Sequence, residues 1–375
     1  MKNKIIVDKK SNSKILTFLP AAFIGGAEKN AIMILDELNK YYKNINLVIG
    51  SSAGGSKEII QKAYLILNCS RSRGCIFKIL TLIYKENPNI IFLHLGFVFL
   101  APIIRIVFPN IKIVCRLGNT PSAEISRNKI KRLIDKYLLR ISINSSNIFL
   151  LQSQSMQIDI ERLFSTNNLK LQILRNPIEQ KFIDKLLEKN SFEIKNYIFS
   201  AATLKKQKRL DIMFASILPV LRDYPDICFV LAGVGKESLT KELLSILESP
   251  YGKRIYLLGN VENIYPLIRD SLMCISSSDY EGSSNYLLEC RAMGKICAVT
   301  DCPGDNREIF EGYNKIFFAP TADVQKLSQI ISLCIKNIIS GELQILFDIK
   351  EIINFVKQSQ DIWKNKIKEF ELVLE

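Results

Sequence analysis

Hydrophobic positions along this chain alternate between two patterns. Short runs rich in Val, Ile and Leu are separated by stretches in which apolar residues recur at helical spacing. In the first half the runs KILTFLP (14–20), INLVIG (45–50), YLIL (64–67), NIIFLHL (89–95), KIVCRL (112–117), NIFLL (147–151) and LQILRN (171–176) read as strands. NYIFSAA (196–202) opens a second series, continued by ICFVLAG (227–233), RIYLLG (254–259), LMCISS (272–277), KICAVT (295–300) and KIFFA (315–319). Strands alternating with helices assemble parallel sheets from βα units, and this many strands exceed one comfortable sheet. The expected class is α/β, with two Rossmann-like, doubly wound parallel-sheet domains over 1–190 and 191–348. Their join falls within NPIEQKFIDKLLEKNSFEIKN (176–196), where Asn-Pro halts a strand and a polar helical piece follows. A final helix over 349–375, carrying Ile352, Phe355, Ile362, Ile367 and Phe370, is expected to pack back towards the first domain.

With 375 residues, 48% of them hydrophobic, the chain can bury a large core, and it shows no low-complexity run and no internal repeat. The basic start MKNKIIVDKKSNSK lacks the long apolar stretch of a signal peptide. IIFLHLGFVFLAPIIRIVF (90–108) approaches spanning length, but His94, Pro102 and Arg105 interrupt it, and it reads as a strand followed by a helix. Nine cysteines without a CxxC pair, and a single histidine, argue against a zinc site and for reduced, buried thiols in the cytosol.

Charge separates the two halves. Residues 1–190 hold 29 Lys and Arg against 13 Asp and Glu, a net of +16, while residues 191–375 hold 22 against 24. A basic first half implies an anionic partner there: nucleic acid, lipid headgroup or phosphorylated substrate. The nucleic-acid option lacks any recognised binding motif, and aromatics do not interleave with the basic runs. NKIKRLIDKYLLRI (128–141) sets Ile130, Leu133, Ile134, Tyr137, Leu138 and Ile141 on one helical stripe, bordered by Lys129, Lys131, Arg132, Lys136 and Arg140. Two readings of this stripe stand: a face packed on the core, or a face laid on an anionic membrane.

Several stretches suit phosphate. Strand 14–20 runs through AAFIGGAEKN into a helix, where Gly25 and Gly26 make either a tight turn or an anion-binding loop at a helix start. GVGKES (233–238) is a turn or a partial dinucleotide motif. In TLKKQKRLD (203–211), Lys205, Lys206, Lys208 and Arg209 oppose the dipole of the helix they begin, so packing alone does not explain them. They form a solvated face or a diphosphate clamp. Strand 272–277 then ends in SSDYEGSS, with a helix expected from Ser283 or Ser284. Glu281 therefore sits at the carboxyl end of a strand, where open α/β sheets bind ligands, and Glu289 lies inside the helix. A helix N-terminus receives phosphate and a carboxylate accepts two sugar hydroxyls; a nucleotide sugar offers both.

SSSDYEGSSNYLLECRAMGKICAVTDCPGDNREI (276–309) resembles the donor-binding signature of retaining glycosyltransferases of family 4, the group 1 enzymes of GT-B fold. IGGAE (24–28), NPIE (176–179) and TLKKQKRLD resemble, in order, that family's first-domain glycine loop, interdomain Asn-Pro-Ile and basic start of the second domain. The resemblance implies two domains facing a cleft, with the acceptor on the first and the nucleotide sugar on the second. It implies that Glu281 faces the transferred sugar, and that Gly282, Ser283, Ser284 and Asn285 line the diphosphate. Glu289 would hold the ribose and Lys208 the phosphates, with Gly25, Gly26 and Arg209 also at the donor.

Two departures from the family pattern stand out. Thr203 occupies the place of a usual Arg, and Arg116 that of a frequent His. Arg116 can bind an oxyanion but cannot serve as a base, which leaves His94 as the other pocket candidate beside a core reading of the same residue. The implied activity is transfer of a sugar from a nucleoside-diphosphate sugar to a lipid-linked or cell-surface glycan, metal-independent and without a further cofactor. The expected location is cytoplasmic, peripheral to the inner face of the membrane, with no nucleic-acid partner. The alternatives are another GT-B chemistry such as a nucleotide-sugar epimerase or hydrolase, or a basic nucleic-acid-binding protein.

Overall fold

The computed structural model describes residues 11–22, 25–53, 55–69, 72–125, 128–166, 169–190, 192–235, 246–345 and 347–374. Two compact units emerge, one of Met1–Pro177 with Asp361–Glu375 and one of Ile178–Gln360. The first contains β1 (Ser11–Ala21), β2 (Tyr42–Ser51), β3 (Ala63–Ile66), β4 (Ile90–His94), β5 (Lys112–Arg116), β6 (Ile148–Leu151) and β7 (Leu171–Ile173). They form one sheet in the order β3-β2-β1-β4-β5-β6-β7, every neighbouring pair parallel. The second contains β8 (Tyr197–Ala201), β9 (Cys228–Ala232), β10 (Ile255–Gly259), β11 (Met273–Ser276), β12 (Cys297–Thr300) and β13 (Ile316–Ala319). Their order is β10-β9-β8-β11-β12-β13, again all parallel.

Helices cover both faces of each sheet, so the central strands β4, β6, β11 and β12 are buried along their whole length. This is why their sequences are continuous apolar runs rather than alternating ones. Edge strands β3 and β7 show no fully buried position. The order of each sheet reverses direction between β1 and β4 and between β8 and β11, and loops leaving the carboxyl ends at these switch points are where such sheets bind ligands.

The units divide at 177/178, inside the expected 176–196 segment and ahead of 190/191, because Ile178, Phe182 and Leu186 insert into the second unit's core. The final helix, Ile349–Leu374, is divided: Ile352 and Val356 join the second unit's core, Trp363 and Ile367 the first unit's. The helix Lys129–Ser145 turns Leu139, Ser142 and Ile143 inward. Of its predicted stripe, Ile130 (73%), Leu133, Ile134 and Tyr137 (67%) are exposed, while Leu138 and Ile141 are half-buried. The exposed part of the stripe lies off this core, and the helix packs through a second, shorter apolar face. Residues 90–108 form β4, a 3-10 turn and the helix Ala101–Val107, and among the described residues no helix is long and apolar enough to cross a membrane.

Candidate active site

Three loops of the second unit converge beyond the carboxyl ends of β8, β11 and β12. After β8, a 3-10 turn Lys206–Lys208 precedes the helix Leu210–Asp223, so the basic run is a tight loop rather than a helical first turn. Arg209 takes a left-handed backbone (φ 46°) at the corner. Loop 277–284 is stitched to it: the Ser277 hydroxyl donates to the carbonyls of Lys208 (2.8 Å) and Arg209 (3.0 Å), and Gln207 Nε2 donates to the Tyr280 carbonyl (2.7 Å). Across this seam Lys208 Nζ reaches Glu281 Oε1 at 2.5 Å, and the Ser278 hydroxyl donates to the same oxygen at 2.6 Å. Glu281 is buried, so this pairing supplies the charge compensation that a desolvated carboxylate requires.

Arg209, expected beside Lys208 at the donor, is committed elsewhere. Its guanidinium pairs with Asp211 (2.8 Å) and Asp279 (2.9 Å), which hold it well above the usual arginine range. Ser284 caps the helix Asn285–Ala292 by accepting from Leu287 N, and Gly282 and Ser283 lead into that N-terminus. From β12 comes the loop Pro303–Asp305, whose Pro303 carbonyl accepts from Glu281 N at 2.8 Å. Gly304 has φ +140°, and a Cβ there would stand 2.5 Å from the Glu281 carbonyl, so both conformation and space require glycine. Asp305 lies buried beneath the serines. Burial pushes its carboxyl up to about 7, with Glu308 and Glu281 adding to the shift, against the Ser283 hydroxyl and the Ser284 backbone N–H.

Glu289 sits on the inner side of the helix and is buried. The Tyr265 hydroxyl lies 3.2 Å from its Oε1 and 2.9 Å from Oε2 of Glu179, which pairs with Lys185 at 2.7 Å. In the sequence Glu179 stands out only as part of NPIE, and nothing marks Tyr265 or Asp305. The glycines of GVG have a steric explanation. A Cβ at Gly233 would lie 1.9 Å from the Ala202 carbonyl oxygen and one at Gly235 2.2 Å from that of Leu204, which favours the turn reading; residues 236–238 lie outside the described residues.

In the first unit, His94 ends β4 directly beside Arg116 ending β5. Arg116 is 2% exposed and donates through Nη2 to Asn176 Oδ1 at 2.7 Å; burial lowers its pKa to about 10, so it stays cationic at neutral pH. His94 is stacked on Phe92 at 4.3 Å, and burial, then Arg116, drives its pKa down to about 3. It is a neutral imidazole in a packed environment. Gly25 is the N-cap of the helix Gly26–Leu38, with Phe23 and Ile24 outside the described residues. Lys129, Lys131, Arg132 and Arg140 are exposed along the Lys129–Ser145 helix, Lys136 is half-buried, and the Arg140 guanidinium lies over the Phe164 ring at 5.3 Å. Among the described residues no cluster of His, Cys, Asp or Glu has the makings of a metal site.

Residues 195–337 match the family model described as glycosyl transferases group 1. A curated relative from Campylobacter jejuni, N-acetylgalactosamine-N,N'-diacetylbacillosaminyl-diphospho-undecaprenol 4-alpha-N-acetylgalactosaminyltransferase, is 27% identical over 311 residues, 79% of this chain and 83% of that protein. A Methanocaldococcus jannaschii protein described as a glycosyltransferase is 24% identical over 320 residues, 80% of this chain and 72% of its own. Among solved structures, Anabaena Alr3699/HepE in complex with UDP-glucose superposes with a TM-score of 0.74 at 16% identity, covering 96% of this chain and 99% of that one. The lipopolysaccharide outer core galactosyltransferase WaaB superposes at 0.67 with 14% identity, covering 96% and 99%. The likeness to these solved structures is one of fold, and that fold is GT-B.

Proposed function

With the chain a GT-B glycosyltransferase whose second unit carries the group 1 domain, we propose that it moves a sugar, with retention, from a nucleoside-diphosphate sugar onto a lipid-linked or cell-surface glycan. The observation that carries this reading is the Lys208–Glu281 pair at the mouth of a helix N-terminus. In this reading the donor diphosphate lies against Gly282, Ser283, Ser284 and Asn285, and draws Lys208 from one anion to another. Glu281, relieved of its lysine, then faces the sugar. As the bond from the anomeric carbon to the diphosphate breaks, its electron pair leaves with the phosphate. Lys208 and the helix N-terminus meet the growing negative charge, and Glu281 the positive charge at carbon. This division of labour asks nothing of a divalent metal, and we infer that turnover persists in a chelator. Glu289 holds the ribose.

The nucleotide is proposed to be uridine diphosphate, since the Anabaena neighbours are seen with UDP or UDP-glucose. A lipid-linked acceptor is supported by the Campylobacter relative, whose name specifies an undecaprenol diphosphate, and by the basic first half. Arg116 suits an oxyanion of substrate in this reading. His94, neutral and packed, is a weaker catalytic candidate than the sequence alone made it. The exposed stripe of the Lys129–Ser145 helix, edged with cations, supports peripheral attachment to an anionic membrane in preference to nucleic acid. The testing experiment is a screen of nucleotide sugars for nucleoside-diphosphate release with and without lipid extract. Release from a uridine-diphosphate sugar that rises with extract is expected; no release from any donor would overturn the reading.

A further inference from the structure

The role of Glu289 as ribose holder leaves its neighbours unexplained, and the inference that follows rests on that role. Tyr265 opens the helix Tyr265–Asp270, is 3% exposed and has its ring 4.8 Å from that of Phe182. A phenylalanine would fill that space equally well, so packing does not account for the hydroxyl. Its two acceptors, Glu289 on the helix Asn285–Ala292 and Glu179 on the segment entering the unit, come from separate elements. Lys185 Nζ, at 2.7 Å from Glu179 Oε1, counters the charge of the second carboxylate. A phenol has one proton to give. Burial, followed by the two carboxylates, pushes Tyr265 far above the usual tyrosine range, so that proton stays on the oxygen. A carboxylate that must accept two ribose hydroxyls loses affinity if it has first to be oriented, because fixing its torsions costs entropy at the moment of binding.

We propose that Tyr265 is a positioning residue of the donor site: its hydroxyl, whose single proton is shared between Glu179 and Glu289, fixes the Glu289 carboxylate in the orientation that receives the ribose hydroxyls, and the Lys185–Glu179 ion pair anchors the other side of that bridge. The chain Lys185–Glu179–Tyr265–Glu289 thus acts on the nucleoside and not on the reacting sugar.

Calorimetric titration with uridine diphosphate and with 2′,3′-dideoxyuridine diphosphate tests this, using the full chain as wild type, Tyr265→Phe and Glu179→Ala. Wild type is expected to prefer the ribonucleotide. Tyr265→Phe should bind uridine diphosphate about tenfold more weakly and the dideoxy compound as wild type does, so that the preference collapses, while kcat at saturating donor stays within about twofold. Glu179→Ala, which removes the competing acceptor and leaves the phenol proton to Glu289, should keep or strengthen the preference, and titration in the cold serves if the phenylalanine variant melts early. A folded Tyr265→Phe that retains the wild-type preference would overturn the inference alone. A wild type that binds both diphosphates equally would instead overturn the ribose role of Glu289, and the inference with it.

Discussion

Lys208 Nζ and Glu281 Oε1 meet at 2.5 Å although 73 positions separate them in the chain. Neither side chain is at liberty to act without the other. Lys208→Ala leaves a buried carboxylate without its lysine, and Glu281→Gln leaves a lysine without its counter-charge. Each single variant should lose about ten- to a hundredfold in kcat/KM. The double variant should lose clearly less than the product of the two, as directly contacting residues do. Initial rates on the four proteins measure this; full additivity would mean the pair is not a functional unit.

Glu281 and Glu289 should separate kinetically. A group that meets charge developing at the anomeric carbon matters most in the transition state, so Glu281→Gln should chiefly lower kcat. A group that holds ribose binds ground and transition states alike, so Glu289→Gln should chiefly raise donor KM and weaken nucleoside-diphosphate binding. Two folded variants with wild-type rates and wild-type donor affinity would reduce the EGSSNYLLE spacing to coincidence.

Gly304→Ala tests the loop that supports Glu281. The variant combines φ +140° with a Cβ 2.5 Å from a backbone oxygen, so stability should fall by about 1–3 kcal/mol and activity with it. Gly312→Ala is the control: its φ is +69° but its Cβ would meet open space, so activity should survive. Thermal melts and rates distinguish the two.

Two buried groups make stability depend on pH with opposite sign. Asp305 is raised to about 7 from 3.8, so keeping it neutral stabilises the fold, and that contribution is lost as pH rises through the window between these values. His94 is lowered to about 3 from 6.5, so its contribution is present above 6.5 and lost as pH falls from there. Asp305→Asn should gain on wild type in Tm as pH rises from 3.8 to about 7, and the difference should level off above that. A constant difference across that range would refute the burial-driven shift.

Membrane contact should reside in the Lys129–Ser145 helix. The neighbouring helix Ala101–Val107 adds exposed Ile103, Ile106 and Val107 to the same unit's surface. Sedimentation with anionic vesicles should fall with salt, with Lys131/Arg132/Lys136→Ala and with Ile130/Leu133→Ser. Binding that ignores all three changes would assign the surface to something else.

Periodicity located all thirteen described strands within a few residues, because runs buried on both sides carry the strongest local signal. It could not supply strand order, yet the glycine loop and the Glu281 loop both proved to leave strands at a switch point. The Lys129–Ser145 stripe shows the limit of such reading: amphipathicity reveals that a helix has an apolar face, not which of two faces the core takes. Tyr265 is illegible in the sequence for a different reason. Its partner Glu179 is 86 residues away, and nothing local to YPLIRD marks the tyrosine as more than a core aromatic.

Trp363 and Ile367 belong to the core of the first unit, which is otherwise made of residues up to Pro177. During synthesis the unit that begins the chain is therefore the last to be finished. Its seven strands leave the ribosome early, but one face of the sheet waits for a cover encoded after the whole second unit. That face includes Ile15, Ile90, Val114 and Ile148, a greasy surface exposed for as long as 178–360 takes to be translated. A nascent chain stalled within the second unit, or truncated before Trp363, would present this surface to chaperones and proteases.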